Sequence, residues 1–204
     1  MIAVIIPTRG LLFAEVLEAI EMELVKVPHR IYSSWDLKIP ESFNTLVDKA
    51  LEDHPSHLWF VEEDTVPPVG SFENLILAQA NIACIDYGVS GWGCVTKNIL
   101  GEILWCGLGC TLVDAGVFRI LDKPYFRSDI ELRLNDWKWI PAPKNKYGGQ
   151  DIYFCTMARE KGFTIKQVAG ECKHLKLSLL GQPEINNGLH LISEKPKIEK
   201  RQIL

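Results

Sequence analysis

The sequence lacks any apolar run of the roughly 18 residues needed to cross a bilayer, so we expect no membrane span. Its opening, MIAVIIPTRG, has no basic segment before the apolar stretch, which favours a strand over a signal peptide. Neither sign of charge dominates, because 22 Lys and Arg oppose 26 Asp and Glu for a net charge of -4. Such weak acidity provides no electrostatic basis for binding nucleic acid or anionic membranes. We therefore expect a cytoplasmic protein with small-molecule partners.

The six cysteines include no C-x-x-C pair. In a reducing compartment, most of them are expected to be buried thiols that act as small apolar side chains. The spacing of Cys94, Cys106, Cys110 and Cys172 matches no common zinc finger, so a zinc site is not expected. The 204 residues are 47% apolar and 24% charged, which is ordinary for one globular domain and excludes wholesale disorder.

The first third of the chain alternates between two periodicities. A continuous apolar run over residues 2–6 predicts a strand buried on both faces. Apolar residues at helical spacing then predict a helix from Phe13 to Leu24, and a second strand follows over 29–33. A second helix, with Ser42 as its expected N-cap, precedes a third strand over 58–61. This β-α-β-α-β order predicts a parallel sheet with right-handed crossovers.

The remaining chain continues the α/β pattern. It predicts a helix over 71–80, short strands and loops over 82–112, a loop over 123–147, a helix over 151–161 ended by Gly162, and a strand over 163–168. We expect one domain over 1–183, with a mixed, mainly parallel sheet flanked by helices. The polar and basic segment 184–204 is expected to be a solvated tail or a peripheral helix.

Three consecutive carboxylates, Glu62, Glu63 and Asp64, follow the third predicted strand directly. Ligands of open α/β sheets bind at the carboxyl ends of strands, which is where this cluster falls. Strand alternation places Glu62 and Asp64 on one side. Carboxylates in that arrangement suit Mg²⁺ or Mn²⁺, with substrate phosphates completing the coordination shell. The alternative interpretation is a solvated acidic turn before Pro67-Pro68.

Two further residues have settings that suit chemistry. Asp151 follows two glycines at the start of a predicted helix, where it can cap the helix or act as a general base. His174 follows the last predicted strand, and its neutral imidazole can ligate Mn²⁺. A packed or surface histidine remains the alternative for that position.

Taken together, five segments resemble the GT-A glycosyltransferases, especially the family 2-like group, over about residues 2–176. VIIPTRG is similar to that family's first strand and nucleotide loop, and WFVEEDTVPP to its strand ending in a D-x-D-type motif. CGLGCTLVDAGVF resembles its glycine-rich acceptor-side segment. GGQDIYFCTMAREKGF resembles the helix that carries its catalytic base, and CKHL the position of its late metal-binding histidine.

The resemblance implies an inverting, metal-dependent transfer of a sugar from a UDP- or GDP-linked donor to an acceptor hydroxyl. Asp151 would be the catalytic base, with Gln150 where many relatives have Glu. The implied ligands of Mn²⁺ or Mg²⁺ are Glu62, Asp64 and His174, with Glu62 in place of the more usual Asp. The residues implied to bind the donor are Pro7, Thr8, Arg9, Asp36, Glu63, Gly107 and Gly109.

Two other functions remain open at this point. A sugar-phosphate nucleotidylyltransferase has a similar nucleotide-binding half, but Pro7-Thr8-Arg9-Gly10 lacks the leading glycines of its G-x-G-T-R loop. A non-catalytic nucleotide- or glycan-binding module is favoured by Gln150 and by the atypical Glu62. Fold resemblance alone does not establish activity.

Overall fold

The computed structural model describes residues 1–8, 10–35, 37–89, 92–143, 149–179, 189–194 and 202–203. Its helices are α1 (Ala14–Leu24), α2 (Glu41–Glu52), α3 (Ser71–Leu77), α4 (Ala115–Ile120) and α5 (Gln150–Glu160). The strands of the first half are β1 (Ile2–Pro7), β2 (His29–Ser34), β3 (His57–Val61), β4 (Thr65–Val66), β5 (Ile82–Ile85), β6 (Gly88–Val89), β7 (Trp92–Gly93) and β8 (Thr96–Asn98). The later strands are β9 (Ile103–Trp105), β10 (Cys110–Asp114), β11 (Ile130–Arg133), β12 (Lys138–Pro141), β13 (Ile165–Val168), β14 (Lys173–Leu179), β15 (Leu189–Glu194) and β16 (Gln202–Ile203).

The centre of the molecule is a six-stranded sheet in the order β13-β5-β10-β3-β1-β2. β1 pairs in parallel with β2 and β3, and β13 pairs in parallel with β5. β10 lies between β3 and β5 and is antiparallel to both. Five strands therefore run in one direction and one is reversed, which confirms the expected mixed, mainly parallel sheet.

The two faces of the sheet carry separate apolar cores. On one face, α2, α4 and α5 pack over Phe60, and their aromatic side chains Phe43, Phe118 and Phe154 are fully or almost fully buried. On the other face, α1 and α3 cover Trp59. Because both faces are covered, β1 and β3 are buried along nearly their whole length, which explains their continuous apolar sequence.

Several elements differ from the sequence-based prediction. Helix α2 begins at Glu41 with Pro40 at the N-cap position, so Ser42 lies inside the helix and does not cap it. The expected loop over 123–147 contains the antiparallel hairpin β11–β12. In the segment after residue 184, where we expected a tail or peripheral helix, the described residues form strands: β15 pairs with β14, and β16 with β8.

Among the described residues, no helix combines the length and apolar character required to span a membrane.

Candidate functional site

The carboxyl edge of the central sheet gathers several of the predicted site residues. Because β1, β3 and β5 run in the same direction, Thr8, Glu62 and Asp86 follow their strands at the same edge. The reversed β10 brings its amino end there as well, so that Gly109 lies beside Glu62. The Glu62 N–H donates a hydrogen bond to the Gly109 carbonyl over 3.2 Å.

The Glu62 carboxyl is only partly exposed, and it lies in a negative environment. Burial, together with the nearby charges of Asp64 and Asp151, raises its pKa from 4.5 to about 7. His174 opposes this shift. Asp151 lies in the first turn of α5, and its charge acts on Glu62 just after β3. Residues from three distant parts of the sequence therefore share one electrostatic environment.

His174 and Asp64 form a close pair. Strand β14 pairs with β4 so that His174 lies opposite Thr65, and the Leu175 N–H donates to the Asp64 carbonyl over 2.7 Å. The His174 Nε2 atom then lies 3.3 Å from Asp64 Oδ2. The Nδ1 atom lies 2.9 Å from the Gly88 carbonyl, which can only accept, so Nδ1 carries a proton. The contact with Asp64 raises the pKa of His174.

Tyr87 lies at the middle of this group and was missed by the sequence analysis. Its hydroxyl donates to Glu62 Oε2 over 3.4 Å and accepts from the Gly109 N–H over 3.0 Å. Its ring meets the His174 ring edge-on, with centroids 6.0 Å apart. Burial raises the pKa of Tyr87 well above its usual range, so the hydroxyl keeps its proton. The position of Tyr87 just beyond β5, at the carboxyl edge of the sheet, was the available signal in the sequence.

Gly107 and Gly109 make room for Tyr87. A Cβ atom at Gly107 would lie 2.5 Å from the Tyr87 hydroxyl oxygen, and one at Gly109 would lie 2.6 Å from its Cζ atom. Both distances are far shorter than van der Waals contact. The two glycines therefore make room for Tyr87, and their contact with the donor sugar stays a prediction.

Two buried groups adjoin the carboxylate cluster. Gln150 is the first residue of α5, after Gly149 in the left-handed conformation with φ 88°, and only 8% of its surface is exposed. Its buried Oε1 atom has no hydrogen-bond partner among the described residues. Glu63 is also buried, and its carbonyl accepts from the Phe13 N–H over 3.2 Å.

The loop after β1 is held by its own threonine. Thr8 Oγ1 donates to the Leu11 carbonyl over 2.8 Å and accepts from the Gly10 and Leu11 N–H groups over 3.0 and 3.1 Å. Pro7 ends β1 at this point. These bonds use the hydroxyl fully, so Thr8 shapes the loop. Arg9 and Asp36, two of the predicted donor-binding residues, lie outside the described residues.

The residues that would hold a divalent cation are Asp64, His174 and Glu62. No group of three or more His, Cys, Asp or Glu in the part of the chain that the structure describes is arranged to hold a metal ion by itself. The chemistry of the donor set is nevertheless suitable, because Mg²⁺ and Mn²⁺ take one or two carboxylates and obtain their other ligands from substrate phosphates and water. The raised pKa of Glu62 also reflects negative charge that a cation would offset.

Comparisons with known proteins bear on the fold. No protein-family model and no curated protein sequence matches the chain. Among solved structures, the crystal structure of A197 from STIV is similar, with a TM-score of 0.59 and 18% sequence identity. The match covers 99% of this chain and 98% of that chain. At this identity the similarity concerns the mixed α/β fold, and the site must be argued from its own residues.

Proposed function

We propose that this chain is a metal-dependent glycosyltransferase that moves a sugar from a nucleoside-diphosphate donor to an acceptor hydroxyl with inversion. The observation that carries the proposal is the contact between His174 and Asp64 at the carboxyl edge of the sheet, where Nε2 lies 3.3 Å from Oδ2. This pair supports a metal-dependent reaction centre at that edge, and the GT-A resemblance implies that the first turn of α5 contributes the base. The mixed, mainly parallel sheet agrees with the same resemblance.

In this proposal Asp64 and His174 hold Mn²⁺ or Mg²⁺, with Glu62 beside them. When bound, the cation acts as a Lewis acid and offsets charge on the departing diphosphate. The Nδ1–H bond from His174 to the Gly88 carbonyl orients the ring and directs Nε2 towards Asp64. Tyr87 holds Glu62 from the other side. The site is thus positioned by contacts within the protein before any ligand binds.

Asp151 is the general base. As the oxygen of the acceptor hydroxyl bonds to the anomeric carbon, the hydroxyl proton passes to the Asp151 carboxylate. The bond between the anomeric carbon and the diphosphate oxygen breaks, and its electron pair leaves with the nucleoside diphosphate. The attack and the departure occur on opposite faces of the carbon, so the configuration inverts.

A non-catalytic nucleotide- or glycan-binding module is the second candidate. It is favoured by two observations: Gly107 and Gly109 contact Tyr87, and the hydroxyl of Thr8 is used within its own loop. Fewer groups are then left to contact a donor than the resemblance implies. A module of this kind would bind ligand without turning it over.

A thermal-shift panel tests the proposal. Any ligand selective for the native state raises the melting temperature. We expect Mn²⁺ together with UDP or GDP to raise it by several degrees, with a smaller effect from either component alone. Hydrolysis or transfer assays with UDP- and GDP-sugars then separate the enzyme from the module. If millimolar nucleoside diphosphates produced no shift with or without Mn²⁺, the glycosyltransferase proposal would be rejected.

A further inference from the structure

A cavity of about 790 Å³ lies between α2 and the segment 123–129, and no residue of the carboxylate cluster lines it. One wall is the exposed face of α2, and the other is the segment 123–129 that follows α4. None of its lining residues belongs to the candidate reaction centre. Its volume falls within the range of about 300–1,000 Å³ that is typical of small-molecule sites.

The two walls of the cavity are joined rigidly. The Asn44 side chain accepts from the Phe126 N–H over 3.2 Å and donates to the Phe126 carbonyl over 2.9 Å. Beneath the cavity, the Phe126 ring lies 5.2 Å from the ring of Phe43 and 5.1 Å from that of Phe154. This tie between α2 and the segment 123–129 is anchored in the apolar core, so the cavity exists before a ligand enters.

The charges around the cavity disfavour an anionic ligand. Lys123 lies 2.7 Å from Asp48, and Arg127 donates two hydrogen bonds to Asp129 over 2.9 and 2.7 Å. The pairing raises the pKa of Lys123 and lowers the pKa of Asp129, which favours the charged forms of these two groups. Glu41 adds a third carboxylate against the two cations. Both cations are therefore already paired with carboxylates, and the rim carries a net negative charge. This arrangement disfavours the binding of a phosphate.

The lining residues of the cavity include three carboxylates and two prolines. Carboxylate oxygens only accept, so a ligand must supply hydrogen-bond donors. Pro40 and Pro124 offer apolar surfaces on either side, and the Thr45 and Ser128 hydroxyls can both donate and accept. A neutral saccharide can make both kinds of contact. It has hydroxyl donors around its edge for the carboxylates and apolar C–H groups on its ring faces for the prolines.

We infer that the cavity between α2 and the segment 123–129 is a binding site for a neutral saccharide, separate from the carboxylate cluster. The site does not depend on the proposed transferase activity, since it shares no residue with that centre. Arg127 nonetheless connects the two regions, because its guanidinium lies 5.7 Å from the centre of the Tyr153 ring on α5. A saccharide held here would be bound on the same side of the sheet as α5.

Ligand-observed NMR with the full chain tests this inference. The probes are maltotriose, cellotriose, mannotriose and chitotriose, with glucose 6-phosphate as an anionic probe and spermidine as a cationic one. We expect saturation transfer to at least one neutral trisaccharide, and no comparable signal from the charged probes. A lack of binding by every trisaccharide at about 10 mM, or a preference for either charged probe, would overturn the inference.

Two variants of α2 locate the bound sugar. Thr45 is exposed and lines the cavity, so Thr45→Trp fills it without disturbing the core. Lys49, one turn further along α2, is exposed and does not line the cavity, so Lys49→Trp is the matched control. We expect Thr45→Trp to weaken trisaccharide binding by about tenfold or more, and Lys49→Trp to leave it nearly unchanged. Circular dichroism checks that both variants are folded. Equal binding by Thr45→Trp and the wild-type chain would place the sugar elsewhere and refute the site.

The outcome is independent of the proposed function. The first possible result is that Thr45→Trp loses saccharide binding and that the wild-type chain does not respond to Mn²⁺ and nucleoside diphosphate. This result would support the saccharide site and reject the transferase. A response to nucleotide without trisaccharide binding would do the reverse.

Discussion

The Nε2 atom of His174 lies 3.3 Å from the Oδ2 atom of Asp64, although the two residues are far apart in the sequence. Both are mostly buried, with 12% and 20% of their side-chain surfaces exposed. The pair exists because β14 adds to β4 in antiparallel register. It brings a basic nitrogen to the strand end where the carboxylates are found, and it is the part of the site best suited to a divalent cation.

We predict that Asp64→Ala abolishes the Mn²⁺-dependent thermal shift with UDP or GDP, because it removes a carboxylate ligand. His174→Gln should weaken the same response, by about tenfold in metal affinity. Isothermal titration calorimetry with Mn²⁺ measures both effects. Asp122→Ala is a suitable control, since that side chain is 95% exposed and lies outside the site. Unchanged Mn²⁺-dependent nucleotide binding in Asp64→Ala would disprove its role as a ligand.

Asp151→Asn should abolish sugar transfer, with a loss of at least about 100-fold in kcat, because the amide cannot take the acceptor proton. Nucleotide binding in the presence of Mn²⁺ should change little. A transfer assay and a parallel thermal-shift measurement separate these two effects. Glu160→Gln changes an exposed carboxylate at the far end of α5 and should leave both unchanged. Full activity of Asp151→Asn would show that another group is the base.

Tyr87→Phe should destabilise the fold by about 1–2 kcal/mol, because the Gly109 N–H loses its acceptor and Glu62 loses a donor. The variant should also reduce kcat more than it raises KM, since Glu62 is then held less firmly. Urea unfolding and steady-state kinetics provide the two measurements. Tyr125→Phe removes a phenol hydroxyl that contacts neither Glu62 nor Gly109, and it controls for the loss of the group itself. A Tyr87→Phe chain with wild-type kinetics would remove Tyr87 from the positioning of the site.

The contribution of Glu62 to the stability of the metal-free protein should fall as the pH rises from about 4.5 to about 7, the range over which this carboxyl ionises first in the unfolded and then in the folded chain. A raised folded-state pKa means that the folded chain prefers the protonated carboxyl, so ionisation costs stability at higher pH. The raised pKa of His174 acts in the same direction, since its stabilising charge is lost as the pH rises.

Glu62→Gln isolates the carboxyl contribution, because the amide stays neutral. With a chelator present, the variant should be more stable than the wild-type chain at pH 8 by about 1–3 kcal/mol, and nearly equal to it at pH 4. Chemical denaturation at the two pH values measures this difference. A variant that was less stable than the wild-type chain at pH 8 would contradict the raised pKa of Glu62.

The local pattern predicted much of the fold. The apolar run over 2–6 and the helical spacing between Phe13 and Leu24 agree closely with β1 and α1. The strand before Glu62 and the helix that carries Asp151 also lie where their periodicity indicates. The error at the start of α2 has a local cause, because Ser42 is a common N-cap residue but Pro40 occupies that position here.

The arrangement of the site depended on contacts between distant parts of the chain. Nothing near Gly109 in the sequence indicates that β10 inserts antiparallel between β3 and β5, which brings Gly109 to the carboxyl edge. The position of Tyr87 over the two glycines follows from that insertion. The cavity against α2 likewise depends on Asn44 binding the backbone at Phe126.

By itself, the sequence determined the α/β class, the order of the early elements and the presence of carboxylates at a strand end. These features follow from side-chain periodicity and backbone preferences, which act over a few residues. Only the tertiary structure decided that His174 meets Asp64, that Asp151 influences Glu62, and that Tyr87 contacts both Glu62 and Gly109. Strand pairing and helix packing select these partners across long stretches of chain, where no local pattern distinguishes one possible neighbour from another.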